Sequence, residues 1–359
     1  MIALIIPSER ALCPYVELYT TILDQIEVAY IIIEWDRLHR NGNSKLRYRA
    51  PRIGAQMGLL EYMGYARFSK KVLEGEHIES IIVFSLPLLF ALNISGGLRN
   101  RHYGLDIRDY HRSYSLPFTK RAVARAKFCA ISSPGYSAWL SSSVKPTISH
   151  NAYGLVSKPL KSAQDARSSI NQSQRKIMIG TIGQLKDLKV NEILLDHLGN
   201  DEKYQLVYHG EGVVEGDLQE ICNKRGLSNI TFTGRYQPCQ EPELYAECDA
   251  ISMLMTPGTV NNDTLMANRV YNSALYGVPQ IAFAGTYLSK VVTYYRLGIV
   301  IESPDHLHEI DRLLAKFYDN MDDFEAGRLE FAGWVQDHQQ RFKVDLLSFL
   351  SHTQVDGNP

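Results

Sequence analysis

Short apolar runs alternate with longer amphipathic segments along the whole chain, the pattern of parallel strands joined by crossover helices. In the first half the runs predict strands over 2–6, 28–33, 80–84, 104–107 and 128–131. The amphipathic segments predict helices around 14–26, 55–73, 117–126 and 135–141. A polar, Ser- and Gln-rich stretch over 159–175 breaks the alternation and reads as a linker. Strands then resume over 176–182, 204–209, 230–233 and 250–255, with helices over 190–198, 217–225 and 242–247. From 268 to 301 the order is helix, tight Gly277-Val278-Pro279 turn, buried strand, second helix and short strand. Residues 331–350 form an amphipathic helix that carries Trp334, Phe342, Leu346, Leu347 and Phe349. The pattern therefore predicts an α/β chain with doubly wound domains at 1–155 and 176–325, a linker at 156–175 and a C-terminal segment at 326–359. Ligands of such sheets bind at loop tips beyond the carboxyl ends of the strands.

Length and composition narrow this picture. At 359 residues the chain exceeds one ordinary core, so two domains are expected. A hydrophobic content of 45% and a charged content of 21% are ordinary for a soluble globular protein. The most apolar stretch, 81–92, is short of the roughly 20 residues a spanning helix needs and reads as a buried strand running into a helix. No secretory signal is read at the start. The five cysteines form no CxxC pair, which suits reduced thiols better than disulfides or zinc. The expected location is the cytoplasm, either free or peripheral on the inner face of the plasma membrane.

Charge adds an asymmetry. Residues 1–150 hold 19 Lys and Arg against 12 Asp and Glu, a net +7, and the remainder is net −8. A basic half suggests an anionic partner, with uneven surface charge as the plain alternative. The residues Arg47, Arg49 and Arg52 precede Met57, Leu59, Leu60, Tyr62 and Met63. Basic residues ahead of an apolar helix face suit an anionic leaflet, and equally a solvated loop before a core helix. No nucleic-acid motif is present.

The run Arg269-Val270-Tyr271-Asn272-Ser273-Ala274-Leu275-Tyr276-Gly277-Val278-Pro279 closely resembles the donor-binding end of nucleotide-sugar glycosyltransferases of the GT-B architecture, of the retaining group-1 or family-four type. There the pattern is Lys/Arg-aliphatic-aromatic-Glu-x-Ala-x-x-Gly-x-Pro, and Asn272 replaces its glutamate. The resemblance implies two Rossmann-like domains facing across a cleft, with the last helix crossing back to the first domain. Other motifs match more loosely. KIMIGTIGQLKDLKV keeps Gly183 of the family's Gly-Arg-Leu turn, with Gln184 at the arginine position. Lys186 and Lys189 follow as candidate pyrophosphate grips, because a departing nucleoside diphosphate gains negative charge; otherwise they are solvated loop lysines. YHGEG places Gly210 at a ligand or in a tight turn. ITFTGRYQP offers Gly234, Arg235 and Tyr236 as base or phosphate contacts, with a surface ion pair as the other reading of Arg235.

The family's earlier glutamate falls at Thr264, so both glutamates are absent. Asn272 can still bond a ribose hydroxyl as donor or acceptor. Asn262 and Asp263 are candidates for the sugar, and Asn268 and Arg269 for the phosphates beside a helix N-terminus. In the first half GLDIRDYHRS resembles the family's strand-to-loop segment and offers Asp106 and Asp109 for acceptor activation, with Arg108 to orient a carboxylate or phosphate. His102 and His111 flank it, and Ser132 is expected to cap the following turn.

The resemblance implies transfer of a sugar from a UDP- or GDP-linked donor to a polysaccharide, oligosaccharide or lipid-linked acceptor, with no metal cofactor. The other reading is a non-catalytic relative that binds glycan or a partner.

Overall fold

In the computed structural model the described residues are all but 41, 43, 55, 56, 79, 162–174 and 356–359; the side chains of 153, 156 and 352–355 also stand outside the description. Most of the linker expected over 156–175 lies outside these described residues.

Residue contacts divide the chain into two compact units. The first comprises 1–151 together with 337–359, and the second 152–336. The sequence reading had placed the first boundary at 155 and the start of the last segment at 326.

The first unit is built on a parallel sheet of β1 (Ile2–Ile5), β2 (Tyr30–Asp36), β3 (Arg47–Arg49), β4 (Ser80–Phe84), β5 (His102–Ile107), β6 (Phe128–Ile131) and β7 (Thr147–Ile148). Their order is β3-β2-β1-β4-β5-β6-β7. The central strands are almost wholly apolar because both faces are covered: every residue of β1 and β4 is buried, and Ser80 is their one polar residue. The long helix Met321–Val355 supplies the last part of this core. Phe342, Leu346, Phe349 and Leu350 recur at helical spacing and pack against Ile2, Leu4, Tyr19 and Phe128. The Tyr19 and Phe342 rings meet edge to face at 5.0 Å. Each such burial stabilises the unit by about 1.5–3 kcal/mol.

The second unit carries β8 (Ile177–Ile182), β9 (Tyr204–His209), β10 (Ile230–Gly234), β11 (Ala250–Ser252), β12 (Gln280–Phe283) and β13 (Gly298–Ile301). They pair in parallel in the order β10-β9-β8-β11-β12-β13. The edge strand β10 alternates between half-buried and exposed positions, as an edge with one solvated face should. The helix Asn268–Tyr276 buries Val270, Tyr271, Ser273, Ala274 and Leu275. Gly277, at φ +75°, ends it in the left-handed conformation, with Pro279 just beyond. Arg328, fully buried, closes the same end: its guanidinium donates to the carbonyls of Ala274 and Leu275 and to that of Lys161.

Three local expectations are corrected. Arg47 and Arg49 lie in the edge strand β3 rather than a loop. The helix expected at 135–141 is a short 3-10 turn, Pro134–Ala138. Its cap is Ser133, which accepts from the Gly135 N–H, while Ser132 donates to the Arg108 carbonyl.

Candidate functional site

In each sheet the chain reverses direction of growth once, between β1 and β4 and between β8 and β11. The carboxyl ends of those strand pairs are where a doubly wound sheet opens a crevice. The two crevices differ in what fills them.

In the second unit the turn after β8 begins at Gly183, at φ +114°. It nests against the turn after β9. A Cβ on Gly210 would sit 2.1 Å from the Gly183 carbonyl oxygen, and one on Gly212 would sit 2.0 Å from that of Leu185. Gly210 is thus needed to let two backbones touch, the turn role of its two readings. Asp187 then caps the helix Leu188–Leu198 by accepting from the Val190 N–H at 3.2 Å. This fixes Lys186 on the turn and Lys189 in the first helical turn. Both are exposed, and neither makes a hydrogen bond or ion pair among the described residues. Arg235 is exposed as well, 4.0 Å from Glu211, a pair of little energetic weight.

The loop after β11 holds its own shape. Asn262 donates to the Thr256 carbonyl, Asp263 accepts from the Gly258 N–H, and Thr264 donates to the Val260 carbonyl. Thr264 is buried. These three side chains organise the loop's backbone. Asn268 opens the following helix and is exposed, with Ala267 before it offering no side-chain cap. Arg269 reaches back to the Ser252 carbonyl at 3.0 Å, beneath the end of β11, and burial lowers its pKa. Tyr236 and Tyr245 flank it. Asn272, one turn further along, donates from Nδ2 to Oε2 of Glu241 at 3.0 Å. Burial raises both the Glu241 carboxyl and the Tyr236 hydroxyl, the latter to about 12. Tyr236 was a candidate from the sequence; Glu241 was missed, because nothing in QPCQEPEL marks that glutamate as facing Asn272.

In the first unit the end of β5 holds a buried network, in which Asp106 Oδ1 and Arg108 Nε have no hydrogen-bond partner among the described residues. Asp106 is fully buried; its Oδ2 accepts from Tyr19 Oη at 2.6 Å and from Arg108 Nη2 at 2.5 Å. Burial raises its pKa against the pull of Arg108. Arg108 also donates to the Ser149 carbonyl and hydroxyl, at 2.9 and 2.8 Å, and lies 4.4 Å over the Tyr15 ring. Asp109 is exposed. His102 sits at the opposite end of β5 and stacks on Phe349 at 4.5 Å, so it does not flank the motif in space. His111 caps the turn Arg112–Ser115 by accepting from Ser113 N–H. Ser85, after β4, has φ +95°, a conformation unusual for a residue with a Cβ, and its buried hydroxyl has no hydrogen-bond partner among the described residues. The Phe-Ser-Leu-Pro step into a helix was its only signal in the sequence.

The basic segment is paired. Arg47 meets Glu34 at 2.8 Å, Arg49 meets the buried Asp36 at 3.3 Å, and Arg52 meets Glu61 at 3.4 Å. Ile53, Leu59 and Leu60 beside them are exposed, Leu60 by 84%. Among the described residues no helix is long and apolar enough to cross a membrane.

No protein-family model matches this sequence, and no curated protein matches it. Solved structures match its fold. Sucrose-phosphate synthase from Thermosynechococcus elongatus is 14% identical with a TM-score of 0.69, covering 99% of each chain. HepE from Anabaena, in complex with UDP and glucose, is 14% identical with a TM-score of 0.67, covering 98% of this chain and 100% of that one. The lipopolysaccharide outer core galactosyltransferase WaaB is 12% identical with a TM-score of 0.57, covering 93% of this chain and 99% of that one. The fold is that of the GT-B glycosyltransferases.

Proposed function

We propose that this chain is a glycosyltransferase that moves a sugar from a nucleotide-sugar to a glycan or lipid-linked acceptor. One observation carries the reading: Lys186, on the turn after β8, and Lys189, in the first turn of the helix that follows, stand exposed with no partner among the described residues. Cations there offset the charge that builds on a departing nucleoside diphosphate. HepE is described with UDP and glucose, and WaaB as a galactosyltransferase of lipopolysaccharide, which supports a UDP-sugar donor and a surface-glycan acceptor. Side-chain cations replace a metal in this proposal, so turnover is expected to be unchanged by EDTA. Isothermal titration with UDP and GDP tests the donor reading: no binding of either at millimolar concentration sinks it and leaves a non-catalytic relative.

A lipid-linked acceptor would bring the first unit to a membrane. Since Arg47, Arg49 and Arg52 already have carboxylate partners, the apolar residues Leu59 and Leu60 are the better anchor. L59E together with L60E is expected to release the protein from anionic vesicles; unchanged sedimentation with vesicles removes the membrane from the proposal.

A further inference from the structure

We infer that Glu241 is a positioning residue that fixes Asn272 as a hydrogen-bond acceptor for a ribose hydroxyl of the donor. This rests on the nucleotide-sugar reading above. The helix Glu241–Ala246 places Glu241 at its first residue, and the helix Asn268–Tyr276 places Asn272 opposite it. An amide side chain has two faces, one donating and one accepting, and by itself it can turn either outward. An ionised carboxylate only accepts, so the 3.0 Å contact with Glu241 Oε2 commits the Asn272 nitrogen to that partner. The carbonyl oxygen is then the face left over, and it accepts from no described residue.

The carboxylate is itself held. Tyr236 Oη lies 3.5 Å from its other oxygen, and the charge of Lys158 acts on it. Arg269, the nearest cation on the same helix as Asn272, is bound instead to the Ser252 carbonyl. The group on which the side chain of Asn272 rests is therefore Glu241. An acceptor left open on a fixed amide distinguishes a ligand hydroxyl from a hydrogen at the same carbon, because the hydrogen leaves the oxygen unpaired.

The test uses the full chain and titration calorimetry with UDP, 2′-deoxy-UDP and 3′-deoxy-UDP, or the guanine series if GDP is the nucleotide bound. Wild type is expected to bind one deoxy form about tenfold more weakly than the parent, the effect of one lost hydrogen bond. Glu241→Gln offers the amide a neutral partner that can donate as well as accept, so the discrimination is expected to fall to about twofold. Asn272→Ala is expected to abolish it, and the double variant to add nothing further. Full discrimination in Glu241→Gln, or none in wild type, overturns the inference while leaving nucleotide binding in place. Should Glu241→Gln fail to fold by circular dichroism, undiminished discrimination in Asn272→Ala overturns it alone. Absence of any nucleotide binding to wild type defeats the transferase reading and this inference with it.

Discussion

Two strand-end clusters, one in each unit, both hold charged side chains and use them in opposite ways. In the first unit Asp106, Arg108, Tyr19 and Ser149 bond one another away from solvent, and only Asp106 Oδ1 and Arg108 Nε are left without a hydrogen-bond partner there among the described residues. In the second unit Lys186 and Lys189 are held in place by their backbone while their charges have no partner among the described residues. Charges consumed by a network hold a fold together; charges left over by one are available to a ligand. On this comparison the sequence-level assignment of Asp106 and Arg108 to the chemistry is the one most in need of testing.

The largest expected effect falls in the first unit. Asp106→Ala leaves the Arg108 guanidinium largely buried without its carboxylate and is expected to cost about 3–5 kcal/mol in urea unfolding. A variant that folds as well as wild type yet loses turnover would break the comparison and return Asp106 to the chemistry. Next comes the pair Lys186→Ala with Lys189→Ala. About tenfold weaker UDP binding is expected per lysine, so about a hundredfold together, with stability within about 0.5 kcal/mol of wild type. A loss of stability in step with binding would show that these lysines, too, are structural.

A pH effect of intermediate size sharpens the first-unit side. His150 is buried, and its Nε2 lies 2.9 Å from Nδ1 of His338. Burial, then the His338 and Arg108 charges, hold its pKa well below the ordinary value. The unfolded chain takes a proton near pH 6.5 that the folded chain refuses, so stability falls as pH drops below that value. The slope is about 1.4 kcal/mol per pH unit for one histidine, or about 2 kcal/mol between pH 6.5 and 5. His150→Gln is expected to flatten the unfolding free energy measured across that window by this amount; an unchanged slope assigns the titration elsewhere. The smallest effect is predicted for Arg235→Ala. Its exposed contact with Glu211 at 4.0 Å makes a change of under about 0.5 kcal/mol the expectation, with little loss of UDP affinity.

Much of this architecture was legible because buried parallel strands announce themselves. Stretches such as 2–5 and 81–84 are continuous apolar runs, and the turn at Gly277 to Pro279 needs the left-handed glycine seen there. Edge elements were harder to read. Arg47–Arg49 and Thr147–Ile148 are polar or very short, and only their neighbours in the sheet make them strands. The candidate site was legible wherever backbone sets position, as at Gly183, Lys186 and Lys189. It was not legible where partners lie far apart in sequence. The Asn272–Glu241 contact spans 31 residues, and that of Tyr19 with Asp106 spans 87. Spacing along a chain carries no signal for such pairs, so a carboxylate in DIRD looked available when a distant tyrosine already held it.

The packing of Phe342, Leu346 and Phe349 against the strands of the first unit has a consequence for how the chain matures on the ribosome. Domains ordinarily complete themselves in the order in which they are synthesised. Here residues 152–336 include every strand and helix of the second unit's core, while the first unit waits for 337–350 to cover Ile2, Leu4 and Phe128. The part translated first is therefore the part finished last, and a chain cut off after residue 336 would hold a folded second unit and an N-terminal half with its apolar wall still bare.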